Sequence, residues 1–313
     1  ESEKSKGVQF AKLKTLSETS TERITPECPH FHECPSCHYL HTSYEQEIQF
    51  KHTSIAKVLQ PLNVAKSDIQ IKEAPQRLGY RNRLQLHYKD HKYGMIDAKS
   101  NKIMEVPHCK ILKSSLKESF DQIYTEPNRP TSEPKEGHVE IYENEEKVSL
   151  TWNSAYADGG FTQVNQAMNK VLHDLIHKVG ANSKPQQILD LFSGYGNLSE
   201  CLVQNGSSRI CVDASPKKDS LNLNYHSLNL FKDSALIKFK KMYRDKKFDL
   251  VIVDPPRKGF PFLKDWIDHY QPQKLIYVSC KAATMTRDLL TIKDQYQVKQ
   301  AVMLDLFPGS FHF

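Results

Sequence analysis

The rhythm of apolar and polar positions changes along the chain, and each change marks a different kind of element. In SYEQEIQFKHTSIAKVLQPL, Ile48, Ile55, Val58 and Leu59 recur near helical spacing. Ser43 stands where an N-cap belongs and Pro61 where a helix must stop, so one helix is predicted there. From Ile69 to about Thr151 the runs are short and alternating, RLQLHYK and HVEIYENEEKVSLTW among them, with polar breaks such as TEPNRPTSEPKEG. That pattern predicts a small antiparallel domain with one long loop. After GGFTQVN, a helix-like stretch, QAMNKVLHDLIHKVG, leads into near-continuous apolar runs, QQILDL, SRICVD, FDLVIVD and KLIYVSC, with helical or loop segments between them. Strands alternating with helices predict a parallel sheet in a doubly wound α/β domain, whose ligands bind at the carboxyl ends of the strands. Residues 1–27, rich in Lys, Ser, Thr and Glu without periodicity, predict a flexible arm. The chain thus divides into 1–27, 28–155 and 156–313.

Composition narrows the class. At 313 residues, 38% hydrophobic and 26% charged, the chain is long enough for two domains with cores of their own. No apolar run approaches the roughly 20 residues of a membrane helix, and no signal-peptide pattern opens the chain; a soluble, cytoplasmic protein is expected. The net charge of +6 permits a polyanionic partner without requiring one. The run KFKKMYRDKK, Lys238 to Lys247, reads first as a solvated surface.

Chemistry concentrates at the predicted strand ends. In LDLFSGYGNLS, Gly194 and Gly196 allow a tight turn after the strand that carries Asp190, and Asp213 ends the next strand, suitably placed for ribose hydroxyls. Ser199 stands where a dinucleotide fingerprint would have its third glycine, which favours S-adenosylmethionine, a nucleoside without phosphate. In FDLVIVDPPRKGF, two prolines rigidify the turn after Asp254, although Arg257 occupies the place where amine methyltransferases carry an aromatic residue. In KLIYVSCKAATMTRDL, Cys280 closes an apolar strand ahead of a helical segment, a setting that can lower a thiol's pKa and make it a nucleophile, although a lone Cys after a strand is more often a buried small apolar residue.

The stretch ECPHFHECPSCHYLHT gathers Cys28, Cys34 and Cys37 with His30, His32, His38 and His41. An odd total of seven cysteines, three of them clustered, suits a metal site or catalytic thiols better than disulfides. Spacing alone leaves zinc and an iron-sulfur cluster both open.

Taken in order, GGFTQVNQ, LDLFSGYGNLS, VDPPRKG, YVSCKAATMTRDL and LDLFPGSFHF resemble the RNA (uracil-5-)methyltransferase family, from Cys28 to Phe313. The resemblance implies a Rossmann-like class I methyltransferase domain with a smaller antiparallel β domain carrying an N-terminal iron-sulfur site. Members that modify ribosomal RNA have Cys-x5-Cys-x2-Cys and a distant fourth cysteine, so it implies a [4Fe-4S] cluster on Cys28, Cys34, Cys37 and Cys109. It implies Cys280 as nucleophile and Gln163, Phe192, Asn197, Asp213, Asp233 and Asp254 around the cofactor and base. The partner implied is RNA, ribosomal RNA first and transfer RNA second, acted on by a monomer.

The departures from the family pattern matter. Asp213 and Asp233 stand where Glu and Asn are expected, and Lys281 and Ala282 where Asn-Pro is usual. The family's last motif runs on to a Glu that acts as base, and its sheet takes one further strand beside the one ending at Cys280. The expectation is therefore a longer native chain. Failing that, Asp254 or His312 takes the proton, or the protein binds RNA without turnover. The short arm leaves substrate grip to the middle domain, with Arg77, Arg81 and Arg83 as candidates.

Overall fold

The computed structural model describes the chain except residues 1, 6–7, 12–14, 98–99, 126–128, 145–146, 156–162, 182–183, 204–206, 215–223 and 313. The glycines of GGFTQVN lie outside the described residues.

The first strands are β1 (Ser2–Ser5) and β2 (Val8–Ala11), which pair antiparallel, so the arm is not featureless. The cysteine hairpin leads into α1 (Tyr44–Leu59), where the Ser43 hydroxyl accepts from the Gln46 amide as an N-cap should. Then come β3 (Ile69–Lys72), β4 (Arg83–Lys89), β5 (Lys92–Ile96), β6 (Ile103–Met104), α2 (Lys117–Thr125), β7 (Glu136–Asn144) and β8 (Lys147–Trp152). The antiparallel sheet has the order β6-β5-β4-β7-β8. Leu84, Leu86, Tyr88, Val139 and Ile141 alternate onto its buried face and pack against Phe120 and Ile123 of α2.

The second half carries α3 (Gln166–Ala181), β9 (Gln187–Leu191), β10 (Ser208–Asp213), β11 (Asn224–Ser227), α4 (Ser234–Tyr243), β12 (Leu250–Val253), α5 (Leu263–Tyr270), β13 (Lys274–Tyr277), α6 (Ala282–Leu290) and β14 (Ala301–Leu304). Strands β11-β10-β9-β12-β13 form one parallel sheet. Its faces separate residue by residue. Leu189, Leu191, Val251 and Val253 point into a core with Phe239 of α4 and Trp266 and Tyr270 of α5. Ile188, Leu250 and Ile252 point to the other side, onto Leu172 and Ile176 of α3. Burial on both faces is why these strands read as unbroken apolar runs.

Two findings differ from the sequence expectation. The Ile69 strand does not join the antiparallel sheet: β3 pairs in parallel with β14, from the far end of the chain. Around that pair Ile48, Ile55 and Leu59 of α1, Met303 of β14 and Ala282 of α6 form a core of their own, so the N-terminal helix is built into the methyltransferase end. Among the described residues β13 and β14 belong to separate sheets, and a groove is lined by both.

A buried ion network bolts this junction. Lys51, 1% exposed, donates to Glu47 Oε1 at 2.7 Å and to Asp305 Oδ1 at 2.6 Å, both carboxylates being fully buried. Arg77 adds a second cation on Glu47 at 2.9 Å, and the Tyr44 hydroxyl donates to Asp305 at 2.7 Å. Removing one partner of such a buried pair leaves an uncompensated charge, so Lys51→Met should cost about 3–5 kcal/mol. Urea denaturation checks this; an unshifted midpoint would contradict it.

Candidate active site

The carboxyl end of the parallel sheet opens into a groove of about 2250 Å³. Gln163, Asp190, Phe192, Asn197, Asp213, Asp254 and Cys280 all line it. Asp233 does not: it is exposed at the N-cap of α4, while Phe231, two residues earlier, reaches the groove.

The turn after β9 is shaped from beneath. Phe192, Gly194 and Gly196 have φ of 59°, 53° and 78°, the left-handed region where glycine is at ease and Phe192 is held under strain. A Cβ on Gly196 would lie 2.5 Å from the Tyr225 hydroxyl oxygen. Below the turn, Ser199 donates to the buried Asp190, and Arg209 donates to Ser199 Oγ at 3.1 Å and to the Gly196 carbonyl at 2.9 Å. Asp213, at the end of β10, accepts from the Gly194 amide at 3.0 Å. Phe192 meets Phe260 edge-on at 5.0 Å and Phe231 at 5.4 Å, giving the groove an aromatic wall. An acid at the strand end, an open glycine turn and apolar rings fit a nucleoside with a free ribose.

Burial dominates the acids. It pushes Asp190 up to about 7, with Asp254 and Asp213 adding repulsion while the Ser199 hydroxyl works against the shift. It pushes Asp254 up to about 6, so this carboxyl exchanges protons near neutrality. Asp254 follows β12, its amide bonded to the Leu191 carbonyl at 3.2 Å. Across the groove, burial and then the Arg257 guanidinium lower His312 to about 4, leaving it neutral; Arg257 donates to its ring at 2.9 Å. Cys280 is exposed between β13 and α6, with Lys281 as N-cap. Asp190 and Ser199, both named in the glycine motif, form this support together with Arg209, which the motifs did not single out.

The candidate arginines of the middle domain all have partners within the chain, and Arg81 and Arg83 also line the groove. Arg77 is held by Glu47 and the Tyr39 carbonyl, Arg81 donates to the Arg83 carbonyl, and Arg83 pairs with Glu140 at 2.9 Å over the Tyr142 ring. Exposed cations with no salt bridge among the described residues run along α4 and just beyond it, including Lys238, Lys241 and Lys247.

Cys28, Cys34, Cys37 and Cys109, all free thiols, line one small cavity with Leu84, Met95, Val106 and Ile111. Cys109, 72 residues beyond Cys37 in sequence (109 − 37), is therefore brought to the hairpin. Burial, then the neighbouring sulfurs, push Cys37 up to about 12, and burial also raises Cys109. Thiolates so crowded call for a cationic group between them. Among the described residues no group of three or more His, Cys, Asp or Glu is placed to hold a single metal ion. One zinc would need its sulfurs about 2.3 Å from a common point. Four soft sulfur donors around an apolar cavity fit a larger, several-centred group better than one ion.

The tRNA (Uracil-5-)-methyltransferase family model matches residues 224–313. The chain is 26% identical to the 23S rRNA (uracil(1939)-C(5))-methyltransferase RlmD of Vibrio parahaemolyticus, over 99% of this chain and 85% of that protein. It is 27% identical to an uncharacterized RNA methyltransferase of Bdellovibrio bacteriovorus, over 98% and 82%. The crystal structure of Pyrococcus abyssi tRNA (uracil-54, C5)-methyltransferase in complex with S-adenosyl-L-homocysteine shares the fold, with a TM-score of 0.70 at 20% identity over 100% of this chain and 90% of that one. Along nearly its whole length the chain is thus similar to RNA (uracil-5-)methyltransferases, and its last 90 residues match their family model.

Proposed function

We propose that this protein methylates C5 of a uridine in RNA, with 23S ribosomal RNA as its substrate. The observation that carries the reading is the exposed Cys280 on the same groove as the glycine turn, Asp213 and Asp254. C5 of uracil is a weak nucleophile, so a step is needed that makes it a strong one. The Cys280 thiolate adds to C6, breaking the C5–C6 double bond and leaving an enolate whose electron density sits at C5. S-adenosylmethionine supplies the electrophilic methyl group. Asp254, ionised above its raised pKa, then takes the C5 proton, the double bond re-forms and the Cys280 sulfur leaves. Gln163, Phe192, Asn197 and Asp213 bind the nucleoside and orient it. The uridine has to leave its stack to enter the groove, which favours loops over duplex. The length-spanning match to a ribosomal RNA enzyme favours that substrate; the family model and the fold of an archaeal transfer RNA enzyme support transfer RNA as a second reading.

Four cysteines around one cavity support a [4Fe-4S] cluster on Cys28, Cys34, Cys37 and Cys109. Anaerobic reconstitution with iron and sulfide should load about four irons per chain, against about one in Cys109→Ala at most; a single bound zinc would contradict this.

A denaturing gel with S-adenosylmethionine and unmodified RNA tests the nucleophile. A shifted band is expected with Asp254→Asn, in which release fails, and none when Cys280→Ala is combined with it; methyl transfer by Cys280→Ala alone should fall by on the order of 10⁴-fold. Running ribosomal and transfer RNA side by side separates the two substrates. Full transfer in Cys280→Ala would overturn the mechanism.

Asp254 sets the acid limb of the pH profile. With its carboxyl near 6, the rate should climb about tenfold per pH unit below that value and level off above it. Asp254→Asn should remove the limb and let the RNA adduct accumulate. A limb unchanged in that variant would assign the proton to another group.

A further inference from the structure

Another wall of the groove is the segment Asp305–His312, and most of its holds come from the N-terminal half of the chain. The carbonyl of Leu306 accepts from Asn165 Nδ2 at 3.2 Å, that of Phe307 from Lys51 Nζ at 3.3 Å, and that of Pro308 from the Tyr80 hydroxyl at 3.1 Å. The carbonyl of Gly309 accepts from the amides of His38 and Tyr39, at 2.6 and 3.0 Å. Its own amide donates to Glu47 Oε1 at 2.7 Å. Three of these four successive carbonyls, those of Phe307, Pro308 and Gly309, are thus claimed by donors in the N-terminal half, and the tightest contacts come from the two residues that follow Cys37.

Gly309 is the point of contact. Its φ of 81° lies in the left-handed region, and a Cβ there would sit 3.2 Å from Leu40 Cδ2 and 3.8 Å from Cys37 Sγ. The His38 ring also packs on Phe311, centroids 4.3 Å apart. Beyond Gly309, Ser310, Phe311 and His312 line the groove with Cys280 and Asp254. The strands that carry the cofactor turn owe nothing to this contact, since they are held by the two cores of the parallel sheet.

We propose that the cysteine hairpin and α1 position the 305–312 wall, so that the group held by the four cysteines sets the geometry of the reacting side of the groove without touching substrate. His38 and Tyr39, through their amides, and Glu47, through its carboxylate, are the positioning residues. This rests on the reaction proposed above, but its structural half needs no RNA.

The test is hydrogen–deuterium exchange on the full chain reconstituted anaerobically with ferrous iron and sulfide, beside Cys37→Ser, Glu47→Ala and Glu47→Gln. In Cys37→Ser and Glu47→Ala the amides of 306–312 should exchange about tenfold faster, with β9, β10 and β12 and the affinity for S-adenosylhomocysteine changed by less than about twofold. Glu47→Gln, which keeps an acceptor for the Gly309 amide, should recover most of the protection. In turnover, kcat should fall in the first two variants while KM for S-adenosylmethionine holds. Faster exchange confined to the hairpin, with the wall still protected, would overturn the proposal. So would loss of protection across the whole chain, which would make the hairpin a general staple. A native chain that fails to methylate RNA would count against the reaction alone, because exchange and S-adenosylhomocysteine binding are read without RNA.

Discussion

The arrangement depends on one buried cation. Lys51 bridges Glu47, on its own helix, to Asp305, 254 residues later, and almost no solvent reaches any of the three. Two carboxylates without it would repel in a low-dielectric interior. The ends of the chain are therefore tied to each other: Lys51 sits between them where β3 lies beside β14 and the last motif faces the groove. Glu47 carries the constraint further, since its second oxygen takes Arg77 and its first also takes the Gly309 amide.

Above this junction the parallel sheet does what doubly wound sheets do, gathering polar residues at the ends of strands whose bodies are apolar. The chemical character of the groove follows from what lies under it. Asp190 is too deep to meet a ligand freely, and its bond from Ser199 and the Arg209 contacts fix the glycine turn. Asp254, nearer the opening, has a carboxyl poised to exchange a proton near neutrality. Cys280 stands exposed where the sheet ends and the groove begins. Among the described residues no helix is long and apolar enough to cross a membrane.

Much of this was legible in the residues alone, and what was not has a common cause. The runs QILDL and LVIV announced strands because both their faces are buried, and Ser43 announced a cap because its chemistry is local. The pairing of β3 with β14 was not legible, since nothing near Ile69 points to Ala301. Glu47 and Lys51, at i and i+4, look like an ordinary exposed helix pair; only the arrival of Asp305 shows them to be core. The ion pairs of Arg77 and Arg83 were not legible for the same reason, because their partners Glu47, Tyr39 and Glu140 come from elsewhere in the fold. Asp233 was assigned to the groove by motif register, whereas the chain turns so that Phe231 reaches it instead. Cys109 joined the other cysteines only through family resemblance, and the shared cavity now gives that grouping a physical basis.

The central claim is that methyl transfer occurs at carbon, with loss of the C5 hydrogen by way of a Cys280 adduct. RNA carrying tritium at C5 of uridine tests it most directly. The account predicts that tritium appears in water in step with methyl incorporated, and that Cys280→Ala releases none. Methyl incorporation with the tritium retained would mean transfer to nitrogen or oxygen, and would contradict it.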